Sequence, residues 1–415
     1  MKVCGIICEY NPLHNGHVYH MDHARETTGC DYIVCIMSGC FTQRGEPAIF
    51  DKWERTRHAL QAGADLVIEL PVIHAISSAQ GFAEGSVGIL DGLGVVTHLS
   101  FGSECTDLKS LRLLAEMITH EPDDYRSALK FHLGKGLSFP AARTNAALSA
   151  GGLLEAEGKY TAILSSPNCI LGIEYMRALD LLKSRIVPVP VMRVGCGHNE
   201  AAMSGAYSSA TSIRRSIKSF GLNGGSAPPV PACVLNGMKH AAANGEGPVF
   251  PDDFENLILA SFRSMTAEEI GLLPDTNEGL AYRLKKCAME SPSLPAFLSS
   301  VKSKRYTHTR HQRICLYALL GISKADMDLS GDIRHDGYAR ILGFRSTAQP
   351  LLAAIKQNTR IPVISKPADY RSLLNPAARH LFELDARASD IYSLALKDPR
   401  KRVGGRDFTE QVIIL

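Results

Sequence analysis

The chain has 415 residues, 45% hydrophobic and 21% charged, with a formal net charge of +3. That composition excludes a disordered or fibrous chain, and no apolar run approaches the roughly 18 residues a membrane-crossing helix requires. Eleven cysteines, odd in number and scattered through apolar stretches, argue against a disulfide scaffold and predict reduced thiols in a cytoplasmic protein with no membrane association.

Strand and helix signals alternate along the first hundred residues. Val3–Cys8 is a short β-rich run, read as a core strand rather than a signal peptide. Asn11-Pro12 and Asn15-Gly16 mark a loop, and Val18–Thr28 suits a helix. Tyr32–Met37 is the next apolar run. Asp51 is placed to cap a helix through Ala64, with Glu54 three residues later as its capping-box partner. Asp65–Leu70, a helix from about Ser78 to Leu90, and Val95–Phe101 complete four strands with helices between them. That alternation predicts an α/β fold, a Rossmann-like doubly wound parallel sheet. Residues 107–153 read as helical, 168–183 as a helix, Val187–Val191 as a last strand and Thr211–Phe220 as a last helix. The Gly- and Pro-rich stretch Gly221–Pro231 is the best linker candidate. It divides the chain into a catalytic domain over residues 1–222 and a mostly helical, basic domain over 232–415.

Charge is unevenly distributed. Residues 1–280 hold 22 basic and 30 acidic residues, net −8, whereas 281–415 hold 23 basic and 12 acidic, net +11. A basic module beside an acidic one suggests a polyanionic partner. Lys302, Lys304, Arg305, Arg310 and Arg313 cluster with Tyr306 and Tyr317. Cations interleaved with aromatics suit phosphates and unpaired bases, so these five are the expected RNA contacts.

Chemistry concentrates between the first strand and the first helix, in Glu9-Tyr10-Asn11-Pro12-Leu13-His14-Asn15-Gly16-His17. Open α/β sheets bind ligands outside the carboxyl ends of their strands, and a helix N-terminus there favours phosphate. His14 and His17 can donate hydrogen bonds to phosphate oxygens and stabilise a departing pyrophosphate. The spacing of His14, His17, His20 and His23 does not match a helical metal site, and none is expected. A second helix start, Ser208-Ser209-Ala210-Thr211-Ser212-Ile213-Arg214, offers hydroxyls from Ser209 and Thr211 that can cap the helix or hold ATP phosphate. Its Arg214 is suited to bidentate contact with the β- and γ-phosphates.

His-x-Gly-His with a late Ile-Arg helix start resembles the HIGH-type nucleotidyltransferase superfamily. Residues Gly5–His17, Met37-Ser38-Gly39, Phe41–Pro47, Ser166-Pro167-Asn168 and Ile170–Tyr175 narrow the resemblance to the bacterial tRNA(Met) cytidine acetate ligase family. Lys366–Asp369, Asp390–Leu394 and Gly405-Arg406-Asp407 are also similar to it, so the resemblance spans the chain. It implies that acetate attacks the α-phosphate of ATP to give acetyl-adenylate and pyrophosphate. The acetyl group then passes to the wobble cytidine of elongator tRNA(Met), giving N4-acetylcytidine. It also implies ATP contacts from Ile7, Cys8, Glu9, Tyr10, Asn11, Pro12, Leu13, His14, Asn15, Gly16, His17, Val18, Tyr19 and His20, then from Gly102, Asn168, Arg193 and Val194. His14, His17 and Arg214 are the expected catalytic residues. Mg²⁺ is expected, held mainly through ATP phosphates, and no stable protein partner is implied. The alternative is a small-molecule adenylyl- or cytidylyltransferase, which would share both phosphate sites but leave the basic last third without a purpose.

Overall fold

The protein is described from a computed structural model, over residues 1–150, 157–193, 208–224, 227–276, 279–303, 306–331 and 337–415. Its centre is an eight-stranded sheet. The strands are β1 (Val3–Cys8), β2 (Tyr32–Ser38), β3 (Leu66–Leu70), β4 (His98–Ser103), β5 (Val187–Met192), β6 (Ala339–Phe344), β7 (Val363–Ile364) and β8 (Ile413–Ile414). Their order is β5-β4-β1-β2-β3-β6-β7, with β8 also beside β6. The first five are mutually parallel. β1, β2 and β3 are nearly continuous apolar runs, as strands covered on both faces require, whereas the edge strand β5 is partly exposed.

Helices α1 (Asn15–Thr28), α2 (Lys52–Gln61), α3 (Val72–Ala75) and α4 (Ala79–Gly92) supply the crossovers. One face packs Val3, Val34 and Ile36 against α4 and the helix Pro167–Leu181. The other packs Cys4, Ile6, Ile33 and Cys35 against α1, α2 and the helix Ala210–Phe220. Asp51 caps α2 as expected, accepting from Glu54 N. β4 begins at His98 rather than Val95, because Thr97 turns its hydroxyl onto the Val3 backbone and Val95 and Val96 pack as an approach loop. Among the described residues, no helix is long and apolar enough to cross a membrane.

The expected division at residues 222–232 does not interrupt the sheet. β6, from the last third, pairs antiparallel with β3, joining Leu66 to Phe344 and Glu69 to Arg340. The helical part has its own apolar cluster, yet that cluster takes in Cys40, Phe41, Val72, Ile73 and Ile76 from the first part. The supposed linker also returns to the sheet's ligand edge, where Pro229 O accepts from Asn15 N at 3.2 Å.

Four buried charges join the two parts. Lys52 Nζ lies 2.7 Å from Glu69 Oε1 and 2.6 Å from Asp407 Oδ1, while Arg340 contacts both carboxylates. None of these side chains exceeds 3% exposure. Two cations and two anions balance, which is what permits their burial.

Candidate active site

A cavity of about 560 Å³ opens at the carboxyl ends of β1 and β4. These neighbours mark the point where strand order reverses, the usual ligand crevice of such a sheet. The volume is that of a small-molecule or cofactor site.

Its floor is the start of α1. His14 is the N-cap, and its Nδ1 accepts from Gly16 N at 3.1 Å. A Cβ at position 16 would stand 3.0 Å from His14 Cε1, so glycine there lets the ring fold back. His17 Nδ1 accepts in turn from His14 N at 3.2 Å, completing a capping box. The two rings stack at 3.7 Å. Because both Nδ1 atoms accept backbone N–H groups, each neutral ring carries its proton on Nε2 as a donor. Burial, followed by the neighbouring Arg193 cation, lowers His14 to about 3. Burial, His14 and Arg193 hold His17 well below its ordinary value. The pair is thus two neutral donors at a helix N-terminus. His20 hydrogen-bonds Ser100 Oγ at 2.9 Å, and burial lowers it to about 4.

A second part of the lining comes from the start of the helix Ala210–Phe220. Ser209 is its N-cap, accepting from Ser212 N at 3.1 Å. Arg214 Nη1 donates to Asn11 O at 2.8 Å and Nη2 to Glu46 Oε2 at 2.9 Å. Arg44 and Arg193 also line the cavity. Near Arg193, Glu104 accepts from Asn168 Nδ2 at 2.5 Å and from Cys169 N at 3.0 Å, fixing the start of the helix Pro167–Leu181. Behind the loop, the buried Arg55 guanidinium donates to the carbonyls of Glu9, Ser38, Gly39 and Phe50, tying the ends of β1 and β2 together.

Most of the expected residues meet here. Ile7 to Asn11, His14, Gly16, His17, Tyr19, His20, Gly102, Asn168, Arg193, Ser209 and Arg214 line the cavity. Leu13 and Pro12 are buried beneath it, and Val18 packs on the core. Asn15, Pro12, Leu13, Val18 and Thr211 are not among the lining residues. Val194 lies outside the described residues. Gln43, Arg44, Glu46 and Glu104 were missed as site residues, although the first three stand in the Phe41–Pro47 motif.

The basic cluster is less uniform than expected. Lys302 is exposed at the end of the helix Leu294–Val301. Arg310 lies 4.2 Å over the Tyr306 ring and donates to Asp275 O. Arg313 differs from the expected surface contact, since it is 7% exposed and paired with Asp275 at 3.3 Å. Burial on the helix His308–Leu320 turns it inward. Lys304 and Arg305 lie outside the described residues. The same helix reaches the cavity, which Thr309 lines. A Cβ on Gly45 would stand 2.5 Å from Arg313 N.

Comparison with known proteins agrees with this geometry. The HIGH Nucleotidyl Transferase family matches residues 1–407. The tRNA(Met) cytidine acetate ligase of Acetivibrio thermocellus is 41% identical, covering 100% of both chains. That of Caldanaerobacter subterraneus subsp. tengcongensis is 42% identical, covering 96% of each. Thermotoga maritima TmcAL bound with alpha-thio ATP superposes with a TM-score of 0.91 at 34% identity, covering 100% of both chains. Its apo form gives 0.94 at 33% identity, also over 100% of both. The chain belongs to the HIGH nucleotidyl transferase family and, within it, to the tRNA(Met) cytidine acetate ligases.

Proposed function

We propose that this family member activates acetate with ATP and transfers the acetyl group to the wobble cytidine of elongator tRNA(Met). The observation that carries the reading is the convergence of the neutral His14–His17 pair and Arg214 on one cavity. The names of the relatives support the substrate, and the ATP analogue in the Thermotoga maritima protein supports the nucleotide.

In the first step an acetate oxygen bonds to the α-phosphorus, and the bond from that phosphorus to the bridging oxygen breaks. Pyrophosphate leaves with the electron pair. A carboxylate is already nucleophilic at neutral pH, so the protein's task is alignment and charge stabilisation. On this reading the Nε2–H groups of His14 and His17 and the guanidinium of Arg214 carry that task. In the second step the cytidine N4 attacks the acetyl carbon, AMP departs, and N4 gives up a proton. No cluster of three or more metal-ligating side chains occurs among the described residues, so Mg²⁺ fits here through phosphate oxygens and water. When bound, it neutralises charge on the phosphates.

The test incubates the pure protein with ATP, acetate and bulk tRNA, then analyses nucleosides by mass spectrometry. N4-acetylcytidine that depends on both ATP and acetate is expected. ATP turnover without acetate, yielding a dinucleotide product, would favour small-molecule nucleotidyl transfer instead.

A further inference from the structure

The cavity has a second arm that the nucleotide contacts do not explain. It lies on the sheet face opposite α1, where α4 and the helix Pro167–Leu181 meet over the end of β1. Its apolar wall consists of Ala79, Phe82, Phe101, Leu171 and Tyr175. Phe101 and Tyr175 meet edge to face at 5.8 Å. A Cβ on Gly172 would lie 2.5 Å from the Phe101 ring, so this wall is packed without slack. Tyr175 is 4% exposed and lines the cavity, so its hydroxyl is the polar group this wall offers a ligand.

The polar side of the arm is equally ordered. Gln43 N donates to Glu9 Oε1 at 2.8 Å, and Gln43 Nε2 donates to Ser77 O at 3.1 Å. This fixes the segment carrying Arg44, another lining residue. Burial raises Glu9 above the ordinary carboxylate range, and the Gln43 N–H and the Arg44 and Arg214 cations partly oppose that shift.

We propose that this arm is the acyl pocket, in which a short carboxylate directs its oxygens to the Tyr175 hydroxyl and Arg44 and its alkyl end to Phe82 and Ala79. The inference rests on the acetate-activation reading and specifies where the acid sits. The pocket abuts the end of β1, so the carboxylate approaches the α-phosphate from the face opposite the His14–His17 pair. Phe82 then sets the upper limit on chain length.

The test is acid-dependent exchange of pyrophosphate into ATP, measured with acetate, propionate and butyrate. One methylene in an apolar pocket is worth about 10–200-fold in discrimination. Phe82→Ala should shift the preference from acetate towards butyrate by at least about tenfold. Ala79→Val, at the partly exposed first turn of α4, narrows the pocket without touching the core and should shift preference the other way. Tyr175→Phe should raise the KM for acetate several-fold while leaving the KM for ATP unchanged. Acetate-dependent exchange with unaltered acid preference in both size variants would overturn the pocket and leave acetate activation standing. Absence of acetate-dependent exchange in the wild type would overturn acetate activation, and the pocket with it.

Discussion

Arg214, which lines the cavity, and Glu46 form an ion pair at 2.9 Å, bridging residues 168 positions apart. Glu46 also contacts Gln312 Nε2 at 3.4 Å, so the pair links the helix carrying Arg214 to the one carrying Thr309. In the proposed mechanism this carboxylate orients the guanidinium towards phosphate. Arg214→Ala should therefore reduce adenylate formation by about 10–100-fold, the value of one or two charge-assisted hydrogen bonds. Arg214→Lys keeps the charge but loses the fork, and should recover little of it. Full activity of the lysine variant in pyrophosphate exchange would show that charge alone suffices.

His17→Ala removes a neutral donor and half of a capping box. Loss of one such donor typically costs about 2.7–4 kcal/mol of transition-state stabilisation, whereas the lost cap costs about 1 kcal/mol of stability. The variant should fold, with a modest fall in Tm and a drop of at least tenfold in adenylation rate. Near-wild-type exchange would remove His17 from the chemistry.

Much of this site was legible in the sequence because its chemistry is local. The strand, the His14–His17 loop and the start of α1 are contiguous, and β1 spans the residues its apolar run predicts. What escaped is non-local. The Glu46–Arg214 and Glu104–Asn168 contacts join segments with no shared periodicity. The Ala339–Phe344 run gives no sign that it pairs with Leu66–Leu70, far upstream, because pairing partners leave no mark on a strand's own pattern. Arg313 reads as a surface cation until Asp275 is seen beside it.

Acid should weaken the fold through its buried imidazoles. Burial lowers His14 to about 3, and His20 and His74 to about 4. In the unfolded chain the same groups titrate near 6.5. Between those values the unfolded state binds more protons than the folded one, so stability rises with pH there. The contribution is intact above about pH 6.5 and is lost as pH falls towards 4, by at most about 1.4 kcal/mol per group per pH unit. Urea midpoints at pH 7.5, 6 and 5 should decline in that order, and less steeply for His20→Gln. Midpoints that stay flat down to pH 5 would mean the rings protonate without resistance.

The buried quartet of Lys52, Glu69, Arg340 and Asp407 makes the first part dependent on the last. Lys52→Met leaves one anion uncompensated and should cost about 3–5 kcal/mol, whereas combining it with Asp407→Leu should restore part of the loss. A fragment ending at residue 222 keeps Lys52 but lacks Asp407 and Arg340. It also leaves Val72 and Ile73 uncovered. Circular dichroism should show no cooperative unfolding of that fragment. A stable, ATP-binding fragment would establish the first part as an independent domain.

The last prediction concerns RNA. Of the five basic residues proposed to hold tRNA, Arg313 is buried, so its removal would report on folding instead. Lys302, Lys304 and Arg305 are the informative set, with Lys302 exposed beside the helix that reaches the cavity. Their joint change to Gln should reduce the salt dependence of tRNA binding by roughly 0.7 per true contact on single-stranded RNA. Binding should weaken across tRNA sequences alike, since phosphate contacts position without reading bases. Acetate-dependent exchange without tRNA should persist, because Lys302, the one of the three within the described residues, is not among those that line the cavity. The measurement is a salt titration of tRNA binding beside the exchange assay on one preparation. An unchanged slope would place these side chains in solvent, with tRNA held elsewhere. Loss of exchange together with binding would mean that the segment before His308 supports the cavity through Thr309 and Gln312.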